Sequence, residues 1–68
     1  MKQVSGKALL KALRTAGWSL DRITGSHHIL TKPGEEVVLS VPVHGNRPLK
    51  PGLLRHLMKC ASLGEKDI

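Results

Sequence analysis

The tetrapeptide Gly25-Ser26-His27-His28 sets two imidazoles directly behind a turn, and imidazole, with an unperturbed pKa of about 6.5, is the side chain best able to exchange a proton near neutrality. Successive residues of a strand point to opposite faces, so one ring is expected against whatever covers the sheet and the other on its open side. Periodicity alone leaves open which is which. His44 stands in a loop of turn-forming residues, Val43-His44-Gly45-Asn46-Arg47-Pro48, a setting from which functional side chains are often presented. The four histidines, His27, His28, His44 and His56, follow no familiar metal-ligand spacing, and a single cysteine, Cys60, allows neither an internal disulfide nor a cysteine-only zinc site. Neither metal nor cofactor is expected.

Eleven Lys and Arg against five Asp and Glu leave a formal charge of +6 on 68 residues, with a sequence pI near 10.1. So dense a positive field attracts polyanions, and nucleic acid is the first candidate partner. Membrane attachment ranks lower, because no helix pairs a basic face with a bulky aromatic one and no apolar run spans a bilayer. The start, Met1 to Gly6, lacks the apolar core of a secretion signal, so a cytoplasmic location is expected. The length allows one domain, residues 1–68, whose stability must rest on a single small apolar seam.

Two helices and three strands can position the histidines. Ser5 suits a helix N-cap and Gly17 a left-handed stop; between them Leu9, Leu10 and Leu13, with Ala12 and Ala16, form an apolar stripe, and Lys7, Lys11 and Arg14 a basic one. Trp18 to Ile23 reads as a first strand, closed by Thr24-Gly25-Ser26; His27–Lys32 is a second, ended by Pro33-Gly34; Glu36–Val41 is a third, stopped by Pro42. Pro51 fits the first turn of a second helix carrying Leu53, Leu54, Leu57, Met58 and Ala61 at helical spacing. Trp18 is expected in the core and Cys60 on the flank of the second stripe, half-buried. The order predicts an α+β fold, α-β-β-β-α, with a three-stranded antiparallel sheet and both helices on one face, as in double-stranded-RNA-binding domains.

Read in order, these segments resemble the HicA mRNA interferases, also called the YcfA-like family. The resemblance runs from Ser5-Gly6-Lys7 and the leucine-rich helix ending in Gly17-Trp18, through Gly25-Ser26-His27, to Val41-Pro42-Val43-His44, Lys50-Pro51-Gly52, Leu54-Arg55 and the tail Leu63–Ile68. Leu30 stands where that family usually has tyrosine or phenylalanine, and Ser62 where a glycine commonly ends the second helix. The resemblance implies a metal-independent endoribonuclease toxin with His27 as its catalytic histidine and messenger RNA as substrate. A HicB-type antitoxin is implied to neutralise it by covering the active site; no specific DNA binding is implied. RNA cleavage without metal uses the RNA's own 2′-hydroxyl, so a base, an acid and positive charge must be supplied. Gly25 would allow a positive φ and close approach of phosphate, Ser26 could donate to a phosphate oxygen, and Lys50 and Arg55, with the amide end of the second helix, would hold one. His28 and His44 are open as second proton-transfer groups. A non-catalytic RNA-binding module is the alternative, and a third reading is an interaction protein whose basic surface only docks an acidic partner.

Overall fold

Ser5, in extended conformation, accepts a 3.1 Å hydrogen bond from the Ala8 amide on its hydroxyl and so starts α1 (Gly6–Thr15). Gly17, at φ +102°, turns the chain out of it. The computed structural model describes residues 3–68; Met1 and Lys2, the first residues of the stretch weighed above as a secretion signal, lie outside the described residues. After α1 come β1 (Ser19–Thr24), β2 (His27–Thr31), β3 (Leu39–Pro42) and α2 (Pro51–Cys60), with a short 3-10 turn at Glu65–Asp67. The fold is α+β, with the order helix, three antiparallel strands, helix. Among the described residues no helix is long and apolar enough to cross a membrane.

The sheet order is β1-β2-β3, all antiparallel. Leu30 pairs with Leu20 on one side and Leu39 on the other, and His28 pairs with Ile23 and Val41. Leu30, Leu39 and Val41 are buried together with Leu9 and Leu13 of α1 and Leu54, Leu57 and Met58 of α2, so both helices cover the face that carries them. Trp18 joins this core, as expected, and Cys60 is half-buried at its margin. The position at which the family usually has an aromatic is therefore a core position, where Leu30 has no exposed surface.

The third strand begins later than its composition predicts. Glu36, Val37 and Val38 are exposed and outside the ladder; β3 starts at Leu39. The cause lies in β2, whose last pair with β3 is Leu30 to Leu39: Thr31 pairs only with Ser19 of β1. The Glu35 amide then donates to the Lys32 carbonyl and folds the chain away, and β-branched side chains without a partner strand do not make a strand. Pro42, expected to stop the ladder, is its last member, opposite His27. The next amide, Val43, donates to the Ser26 carbonyl at 2.8 Å. Because amides alternate in direction along a strand, the N–H that proline lacks would have pointed away from β2, which is tolerated on an edge strand.

Two glycine-related features fix the ends of the helices. A Cβ on Gly6 would collide with the Pro42 carbonyl oxygen and crowd Val43, so only glycine lets α1 start against the end of β3. Ser62, after α2, has φ +58°, the left-handed conformation in which the family commonly uses glycine.

Candidate active site on the open face of the sheet

The β1–β2 hairpin closes in two residues, Gly25 and Ser26, between the paired Thr24 and His27. Gly25 has φ +60°, while Ser26 has a negative φ, the sign pattern of a type II′ turn, whose twist suits a hairpin. No other atom approaches within 4 Å of where a Gly25 Cβ would be, so the turn faces open space. Its position is fixed by the bond from the Val43 amide to the Ser26 carbonyl, which also brings His44, the next residue, to the same end of the sheet.

The alternation of β2 separates the two histidines. His28 shares the helix-covered face with Leu30 and is half-buried; its Nδ1 is inaccessible and has no hydrogen-bond partner. His27 projects from the opposite, uncovered face and is exposed. There its Nδ1 lies 3.2 Å from the Ser40 hydroxyl of β3, its diagonal neighbour across the ladder. Nε2 makes no hydrogen bond among the described residues, and the residue is exposed. A hydroxyl both donates and accepts, so it can hold the ring in either neutral tautomer or in the imidazolium form.

Ser40 was not singled out from the sequence. Its signal was the polar position between Leu39 and Val41, but the expected strand had no register, and only the pairing of Ile29 with Ser40 sets that hydroxyl beside His27. Arg22 is a second such residue. A bulge at Asp21 lets Arg22 pair with Ile29, which puts the guanidinium-bearing residue on the same open face as His27. Its exposed ion pair with Asp21, at 3.0 Å, contributes little to stability.

The other expected residues are more dispersed. His44 is exposed in a turn closed by the Arg47 amide on the His44 carbonyl. Lys50 is the N-cap residue of α2 and Arg55 lies in its second turn, both exposed; among the described residues no hydrogen bond or ion pair joins either to β2 or to the hairpin turn. Three or more His, Cys, Asp or Glu side chains nowhere converge as a metal site among the described residues.

A small basic domain of order α-β-β-β-α, with a hydroxyl-held imidazole beside a hairpin turn on an open sheet face, has the α+β architecture expected from the sequence. The sequence narrows this further, since a family model described as the HicA toxin of bacterial toxin–antitoxin systems matches residues 6–63. The chain belongs to the HicA toxin family, and that family implies a HicB-type antitoxin as its partner. No curated protein matches the chain.

Proposed function

We propose that this toxin is an mRNA interferase, a metal-independent endoribonuclease in which the His27 Nε2 exchanges the protons of the cleavage step. The observation that carries the reading is the Ser40 contact, which holds Nδ1 and leaves Nε2 free on an uncovered face beside a turn open to a phosphate. With Nδ1–H donating to the Ser40 oxygen, Nε2 has a lone pair and acts as base toward the 2′-hydroxyl. The 2′-oxygen attacks phosphorus, the bond to the 5′-oxygen breaks, and the proton gained by Nε2 is available to that leaving oxygen. The products are a 2′,3′-cyclic phosphate and a 5′-hydroxyl. Ser40 accepts the same Nδ1–H hydrogen bond before and after the transfer, so no rearrangement of the hydroxyl is needed.

Arg22 on the same face, on releasing its exposed pair with Asp21, and the amide of Ser26 in the turn supply positive potential for the phosphorane-like transition state. Gly25 admits the phosphate, and His44, at the same end of the sheet, extends the contact to the next nucleotide. Lys50 and Arg55 act as more distant phosphate anchors at the start of α2. His28 faces the other way and supports the strand rather than the reaction. The substrate is cytoplasmic messenger RNA, and the antitoxin blocks it by covering the open face.

The test is induced expression of the wild type and His27→Ala in a bacterial host, with growth and reporter mRNA followed together. Purified protein is assayed in parallel on an RNA oligonucleotide and its 2′-deoxy counterpart, with and without chelator. Growth arrest and RNA loss in the wild type alone, unaffected by chelator and abolished by the 2′-deoxy substitution, are expected. Equal behaviour of the two proteins, with RNA binding retained, assigns the chain to a non-catalytic RNA-binding module.

A further inference from the structure

On the helix side of the sheet lies a groove that the cleavage chemistry does not use. Both helices pack on β3, and β1 forms the far edge of the sheet. The groove, of about 440 Å³, is lined by the cations Lys7, Lys11 and Arg14, by apolar Leu10, Leu20 and Ile23, and by His28. Ile23 is 55% exposed although it lies on the helix-covered face. No acidic residue lines the groove. The three cations recur at four and three residues along α1, so they rise by about 6 and 4.5 Å along one helix face.

We propose that this groove is a docking site for the antitoxin, taking an acidic segment whose carboxylates meet Lys7, Lys11 and Arg14 while an apolar side chain seats on Leu10, Leu20 and Ile23. The partner rests on family membership and is independent of whether His27 cleaves RNA. Two observations favour a peptide over an RNA strand. An RNA strand would satisfy the cations but finds aliphatic Leu10, Leu20 and Ile23 and no Phe, Tyr or Trp on which to stack its bases, whereas an acidic amphipathic segment matches both the charge and the aliphatic surface. The groove also opens on the opposite side of the sheet from His27, since adjacent residues of β2 point to opposite faces, so RNA lying in it would not present its phosphate to the imidazole. The partner thereby holds the toxin at a surface separate from the face on which substrate binds, and that anchor is retained when the open face is exposed.

The full chain carrying His27→Ala, isotope-labelled so that growth is not impaired, is titrated with its HicB-type antitoxin and, separately, with a twelve-nucleotide single-stranded RNA, and amide shifts and exchange are recorded. The antitoxin is expected to protect Leu10, Lys11, Leu20 and Ile23 in addition to the open face it covers, and the RNA to shift the open face around residue 27, Ile29 and Ser40 alone. Lys11→Gln with Arg14→Gln, and separately Ile23→Asp, are all at exposed positions; each variant is expected to weaken antitoxin binding at least tenfold while RNA cleavage by the His27-containing chain changes less than threefold at physiological salt. Groove amides that respond to RNA and not to antitoxin assign the groove to the substrate, and antitoxin affinity unchanged in both variants overturns the docking site. Failure of the cleavage reading appears elsewhere, as absence of RNA loss with the wild type, and leaves the binding measurements readable.

Discussion

Two glycines in the first turns of the two helices should respond to alanine with opposite signs. Gly6 is buried where α1 starts against β3, and a Cβ there meets the Pro42 carbonyl oxygen and the Val43 backbone, neither of which is a flexible side-chain end. Forcing a methyl group into a packed backbone contact costs about 1–3 kcal/mol. The better helix propensity of alanine returns at most about 1 kcal/mol, and less in a first turn. The net expectation for Gly6→Ala is a loss of roughly 1–2 kcal/mol, which for a domain of this size lowers Tm by roughly 5–15 °C. Gly52, in the first turn of α2, has nothing within 4 Å of its Cβ position, so Gly52→Ala is expected to stabilise by about 0.4–1 kcal/mol. Thermal unfolding followed by circular dichroism, in the His27→Ala background to permit expression, compares the pair directly. A Gly6→Ala protein that melts at or above its parent would refute the argument that this glycine exists for close approach. In the His27-containing chain, Gly6→Ala should also cleave RNA more slowly than its stability loss explains, since Val43, which it crowds, bonds the turn that leads into His27.

Ser40→Ala is expected to lower RNA cleavage about tenfold with RNA affinity unchanged, the loss of one hydrogen bond that orients the imidazole, while Ser40→Thr keeps most of the activity and its pH profile; a change in RNA affinity without a change in turnover would remove Ser40 from the mechanism. Ser62→Gly should raise stability by about 0.5 kcal/mol, the relief of a left-handed serine less the added freedom of glycine in the unfolded chain, read as a Tm increase of a few degrees. Leu30→Ala, at a core position without exposed surface, should cost about 2–5 kcal/mol and leave little folded protein, measured by urea unfolding. RNA affinity should fall steeply with salt, as expected for a chain of charge +6 that neutralises phosphates; an affinity indifferent to salt between 50 and 200 mM, measured by fluorescence anisotropy, would rule out a phosphate-led contact.

The helices were legible because their signals are local: Ser5 and Gly17 bound one, Pro51 opens the other, and leucines at helical spacing mark the faces that turn out to be buried. The hairpin turn was legible for the same reason, in Gly25. The start of β3 was not, because Val37 and Val38 have strand-forming side chains but no partner, and pairing is a property of two segments. Ser40 and Arg22 escaped notice on the same ground: register, and in β1 a bulge, decides which polar residues share a face with His27. Which of two adjacent histidines faces solvent was likewise settled only by the core, since Leu30, two residues on from His28, is drawn under the helices and fixes the parity of the strand.

The contact between Ser40 and His27 spans thirteen residues of chain, and the strand that carries Ser40 is held down by side chains that include Leu54, Leu57 and Met58 of α2. A nascent polypeptide that has emerged only as far as the hairpin therefore owns its histidine but not the oriented one: Ser40 is not yet made, and β3, once made, is covered by α1 alone until α2 follows. Under the proposed mechanism, synthesis itself acts as a timer, in which cutting ability arrives after α2 has been translated and not while the message is being read through the hairpin.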